Sequence, residues 1–129
     1  MIYLDSSAVV KLVRREAETD ALRGWLASNA QPLVSSALVR TETARALTRS
    51  EPGALAVLPS VLALLLQRSV TDDLLDAAGR YTDPVLHSLD AIHLATAEEL
   101  RSALTWFVTY DKRLADAAQA RGLQVCIPV

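Results

Sequence analysis

A chain of 129 residues that is 51% hydrophobic, with only four glycines and five prolines, carries enough apolar material for a real core and excludes a disordered chain. Its formal net charge of −2 supplies no global field to draw it onto nucleic acid or an anionic membrane, so a polyanion has to be attracted locally. The single cysteine, Cys126, excludes an internal disulfide and a cysteine-based zinc site, and a buried position in a reducing compartment suits it.

Ile2-Tyr3-Leu4 is a short apolar strand closed by Asp5, and Ser6-Ser7 offers caps for a helix through Val9, Val10, Leu12 and Val13. A second helix is predicted over about 17–27, with Ala21, Leu22, Trp25 and Leu26 on one face. Pro32-Leu33-Val34-Ser35 reads as a second strand, and Ser35 or Ser36 caps a helix that carries Glu42 toward Ser50. Beyond Pro52-Gly53 the very apolar run from Ala54 to Gln67 reads as a helix with Pro59 as a kink or break, too short to span a bilayer. Ser69-Val70-Thr71 reads as a brief strand, followed by a helix from Asp72 or Asp73 to Tyr81, a turn at Asp83-Pro84 and a helix from Ser88 to Leu100. Leu104 to Tyr110 is the clearest strand, ending at Asp111; Lys112 to Arg121 is a helix stopped by Gly122; Leu123 to Ile127 is a last strand.

Strands alternating with helices predict an α/β fold: a single domain over 1–129, helix-rich, with a short central parallel sheet in a three-layer α/β/α sandwich. Ligands of such sheets gather at the carboxyl ends of the strands, where Asp5 and Asp111 both fall. Each also suits a helix start, because aspartate accepts from the first free amides. Glu42 shares a helix with Arg45 and Arg49, the spacing of a surface ion pair, and those two arginines would also place positive charge beside a phosphate. Asp90 stands out, since its helix Leu89-Asp90-Ala91-Ile92-His93-Leu94-Ala95-Thr96-Ala97 is apolar nearly all round, and a charge there needs a partner, a metal or the helix dipole. His93, three residues on, is placed to bond Asp90 or to face the cleft. Gathered by one fold, four carboxylates would persist only around a hard divalent cation.

Ile2-Tyr3-Leu4-Asp5-Ser6-Ser7-Ala8, Ser35 to Glu42, Leu89 to Ala97 and Thr109-Tyr110-Asp111-Lys112-Arg113-Leu114 together resemble PIN-domain ribonucleases of the VapC toxin type, end to end and in the same order. The resemblance implies a ribonuclease fold with Mg²⁺ or Mn²⁺ held by Asp5, Glu42, Asp90 and Asp111. Asp5 and Asp90 are then expected as direct ligands, with Glu42 and Asp111 as ligands or water-positioning bases. Ser6 and Thr109 are expected to support the acids from behind. It also implies an RNA substrate and a cognate antitoxin, and attack by a metal-activated water is expected to leave a 5′-phosphate and a 3′-hydroxyl. Lys11, Arg14, Arg45, Arg49, Lys112 and Arg113 are the candidate phosphate contacts.

Surplus apolar surface on several helices predicts a homodimer, and the absence of a leader-like or membrane-spanning stretch predicts a cytoplasmic protein. Two other classes compete. Another magnesium-dependent phosphate enzyme, such as an aspartyl-phosphate phosphatase, would want an aspartate where Ser7 stands. A non-catalytic interaction protein would use the acids as caps and surface pairs only.

Overall fold

Alternation along the opening strand sets the layers. In the computed structural model, which describes residues 1–129, β1 (Ile2–Leu4) turns Ile2 and Leu4 to one face of a sheet and Tyr3 to the other, and all three are fully buried. β1 is the middle of five parallel strands. β2 (Leu33–Ser36) and then β3 (Leu65–Arg68) lie on one side of it; β4 (Trp106–Val108) and then β5 (Val125–Cys126) lie on the other. A strand buried on both faces must be apolar throughout, as β1 is.

Against the Ile2 and Leu4 face pack α1 (Ser6–Val13), α2 (Thr19–Ser28), α3 (Val39–Ser50) and α4 (Leu58–Leu62), through Ala8, Val9, Leu22, Val39, Leu47, Leu58 and Val61. The Tyr3 face is covered by α6 (Ser88–Glu99) and α7 (Lys112–Ala120), through Leu94, Ala97, Leu114, Ala117 and Ala118. α5 (Asp72–Gly79) packs on α6, burying Leu74 and Ala78 against Ala91 and Ala95. The predicted three-layer α/β/α arrangement with a parallel sheet is what the chain forms.

One stretch differs. Ala54 to Gln67 is not a kinked helix: a 3₁₀ turn covers Pro52–Ala56, α4 is only five residues long, and the chain then enters β3. Pro59 sits in the first turn of α4, where a missing amide costs nothing, and Leu65 to Arg68 pair in register with Leu33 to Ser36. The strand predicted at Ser69–Thr71 therefore lies just upstream, while Thr71 caps α5 by accepting from the Leu74 amide. Ser35 and Ser36 likewise belong to β2, with Ser36 Oγ accepting from the Leu38 amide ahead of α3. Cys126 is only partly buried.

Gly122 ends α7 at φ +82°, with its amide on the Gln119 carbonyl and the Leu123 amide on Ala118, the paired bonds of a Schellman stop. An added Cβ would meet Arg101 Nη1 at an ordinary 3.6 Å, so conformation rather than collision sets the cost of a side chain. Gly122→Ala is expected to destabilise the fold by about 1 kcal/mol, read as a melting-temperature drop of about 4 °C.

Candidate active site

Asp5 leaves β1 as the N-cap of α1, so capping and a place at the strand ends are one arrangement. Its side chain is only 3% exposed, and burial pushes its carboxyl above the ordinary range against the pull of His93 and the donors around it. Oδ1 accepts from Ser7 Oγ at 2.6 Å and the Ala8 amide at 3.1 Å, and Oδ2 from Thr109 Oγ1 at 2.6 Å. Thr109 in turn accepts the Asp111 amide at 3.0 Å, and Ser7 accepts the Tyr110 amide at 2.9 Å, which ties the first strand end to the end of β4.

Ser6 bonds a different acid. It donates to Glu42 Oε1, because successive residues of a helix project about 100° apart and only one of the serine pair can face Asp5. Glu42, in the first turn of α3, also accepts from His93 Nε2 at 2.6 Å. Burial opposes its charge, but the His93 bond and attraction and the Ser6 bond outweigh it and hold the carboxyl below the usual range. His93 therefore pairs with Glu42 and not with Asp90, and it is 1% exposed. Its other nitrogen meets the Tyr3 hydroxyl at 2.7 Å. Ser7 and Tyr3 escaped the sequence reading: one looked like a helix cap, the other like plain core.

Asp111 caps α7, with Oδ1 accepting from the Arg113 amide at 2.9 Å and the Leu114 amide at 3.1 Å, which leaves Oδ2 uncommitted. Asp90 differs from the other three. It lies half-buried in the first turn of α6 and accepts no hydrogen bond from the chain. Its carboxyl is raised first by burial, then by the charges of Asp111, Asp5 and Glu42, with His93 acting the other way. All three other acids thus act on Asp90, which places the four in one electrostatic neighbourhood. As the side chains stand, no three acidic, imidazole or thiol groups meet at chelating distance around one point.

A cleft of about 620 Å³ opens beside them between α1 and α3, lined by Ser6, Ser7 and Glu42 and by Lys11, Arg14, Arg45 and Arg49. Lys11 is paired with Glu18 at 2.9 Å and stands 4.6 Å over the Tyr110 ring, and Arg14 is paired with Glu16 at 2.7 Å. Arg45 and Arg49 have no acidic partner and are exposed. Lys112 and Arg113 lie outside this cleft; Lys112 pairs with Asp116 at 3.3 Å, and Arg113 reaches Asp111 at 3.9 Å.

Residues 2–120 match the PIN domain model. The chain is 46% identical to Ribonuclease VapC35 of Mycobacterium tuberculosis, with 99% of this chain and 97% of that protein aligned. It is 47% identical to Ribonuclease VapC46 of the same organism, over 98% and 97% of the two chains. Among solved structures, Mycobacterium tuberculosis VapC20, described as a sarcin-ricin loop cleaving toxin, superposes with a TM-score of 0.75 over 95% of this chain and 96% of that one, and at 19% identity this speaks for a shared fold. This chain belongs to the PIN-domain family, among its VapC members.

Proposed function

We propose that the chain is a metal-dependent endoribonuclease, the toxin of a toxin–antitoxin pair, that hydrolyses RNA phosphodiester bonds at Asp5, Glu42, Asp90 and Asp111. One observation carries the reading: Asp90 holds a half-buried carboxylate with no donor from the chain while three further acids press on it. A fold that only needed stability would neutralise such a group or pair it.

The donor set is all oxygen and fits Mg²⁺ or Mn²⁺. A carboxylate offers about four acceptor positions. Three are taken on Asp5, two each on Glu42 and Asp111, and none on Asp90, so Asp90 has its whole carboxylate for a direct contact, Asp5 offers its one remaining position from the base of the site, and Glu42 and Asp111 keep one oxygen each for metal or for water. Mg²⁺ keeps several of its own waters and needs direct contact with only one or two of the acids. A bound divalent cation supplies Lewis acidity, lowering the pKa of the attacking water and stabilising charge on the phosphate. Arg45 and Arg49 lie along the cleft as the phosphate contacts with no competing acid, and unpaired or looped RNA suits such a narrow approach. Hydrolysis leaves a 5′-phosphate and a 3′-hydroxyl.

The same cleft takes the antitoxin, which inhibits by presenting a basic side chain to the acids. The exposed Leu64 and Leu66, at the edge strand β3, together with the exposed Val57 and Leu75, support a homodimer. No helix is long and apolar enough to cross a membrane, and RNA as substrate is in keeping with a cytoplasmic site of action.

Incubating the chain with total RNA and mapping new 5′ ends tests the reading. Discrete cleavage is expected with Mg²⁺ or Mn²⁺, abolished by EDTA and restored by excess metal. Unchanged RNA in every metal, or cleavage indifferent to EDTA, would overturn it.

A further inference from the structure

The four acids leave one buried polar chain unexplained. It begins at the Ser36 amide, which donates to the Tyr3 hydroxyl oxygen at 3.2 Å, continues from Tyr3 to His93 Nδ1 at 2.7 Å, and ends from His93 Nε2 on Glu42 Oε1 at 2.6 Å. A carboxylate only accepts, so the imidazole presents Nε2–H to Glu42, whichever of Tyr3 and Nδ1 holds the proton between them. A second proton on Nδ1 would leave Nε2–H where it is. Tyr3 is fully buried and stacked on Phe107 at 5.1 Å and 4°, which holds the hydroxyl in place.

Glu42 is the longest of the four acidic side chains, the one with most rotamer freedom to lose, and Asp90 repels it. We infer that Tyr3 and His93 are positioning residues for the metal-dependent reaction, holding Glu42 by Oε1 so that Oε2 is its one oxygen left for metal or water. This rests on the metal-dependent reading proposed above. Neither residue lines the cleft, so neither touches substrate. Ser6, which shares Oε1, helps from the rim.

The test uses the whole chain, with Mn²⁺ affinity measured by calorimetry and with kcat and KM measured for a cleaved RNA at saturating Mn²⁺. Tyr3→Phe removes one oxygen from the chain. His93→Asn keeps a polar atom near Tyr3 but falls short of Glu42, while His93→Gln places an amide nitrogen where Nε2 was. Tyr3→Phe and His93→Asn are expected to weaken Mn²⁺ binding about tenfold and to lower kcat with KM little changed, and His93→Gln to recover binding to within about threefold of wild type. Wild-type Mn²⁺ affinity in both Tyr3→Phe and His93→Asn, or a His93→Gln variant as weak as His93→Asn, would overturn the inference. Should His93→Asn fail to fold, the milder Tyr3→Phe decides. Asp90→Asn separates the two levels: undiminished Mn²⁺ binding in it refutes the metal site itself, whereas binding lost there but intact in the Tyr3 and His93 variants refutes only their role.

Discussion

Replacing Asp90 by asparagine is expected to raise the melting temperature of the metal-free protein while removing its response to Mg²⁺ and its cleavage of RNA. Asparagine keeps the shape and place of the side chain in the first turn of α6 and deletes the charge that Asp5, Glu42 and Asp111 oppose. A gain of about 1 kcal/mol corresponds to about 4 °C at this chain length. Wild-type protein should show the same burden through pH. Asp5 and Asp90 are carboxyls raised in the folded chain, so they bind protons more tightly folded than unfolded, and stability falls as pH rises from the ordinary carboxylate range through their folded values. Glu42 works oppositely, contributing stability that is lost as pH falls through its lowered value. Saturating metal should flatten the loss on the alkaline side. Cleavage by Asp90→Asn should fall at least ~100-fold, the size of about 3 kcal/mol of lost charge stabilisation. Thermal unfolding with and without EDTA, beside a cleavage assay, checks all of this; an apo melting temperature lower than wild type would contradict the idea that Asp90 is held against its own electrostatics.

The second large effect belongs to Thr109→Val, which keeps shape and volume but removes the hydroxyl that serves two partners. Asp5 Oδ2 loses its donor and the Asp111 amide its acceptor, both close to the fully buried end of β4. Losing a bond to a buried charged group and orphaning an amide should together cost about 3 kcal/mol, or roughly 11 °C in melting temperature. The deficit should depend on pH, because without Thr109 the Asp5 carboxyl rises further and a proton relieves the unpaired oxygen on acidification. Urea unfolding at about pH 5 and pH 8 should give the smaller gap from wild type at the lower pH, and Thr109→Ser should restore most of the loss. An equal deficit at both pH values would mean that the bond to the carboxylate is not what matters.

How much was legible depended on what kind of signal each residue carried. Asp5 and Asp111 close strands that stand out by their β-branched and aromatic residues, and parallel-sheet logic alone brings such ends together. Asp90 was legible as a charge on a helix otherwise fit for burial. The third strand was not: Leu64-Leu65-Leu66 reads equally as helix or buried strand, and only pairing with Leu33 to Ser36 decides it. Nor did the sequence distinguish Ser6 from Ser7, or tell that His93 would turn to Glu42 rather than Asp90. Those choices depend on which way a ring and a hydroxyl project once α1, α3 and α6 converge, and spacing along one helix carries no such information.

The position of β1 between β2 and β4 has a consequence for synthesis. β4 and Thr109, which complete the surroundings of Asp5, are encoded near the far end of the 129 residues. A growing polypeptide carries Asp5 with its near neighbours Ser7 and Ala8, yet Oδ2 has no donor until Thr109 has been made. The order of elements thus delays the meeting of the first and last of the four acids until most of the polypeptide has been made.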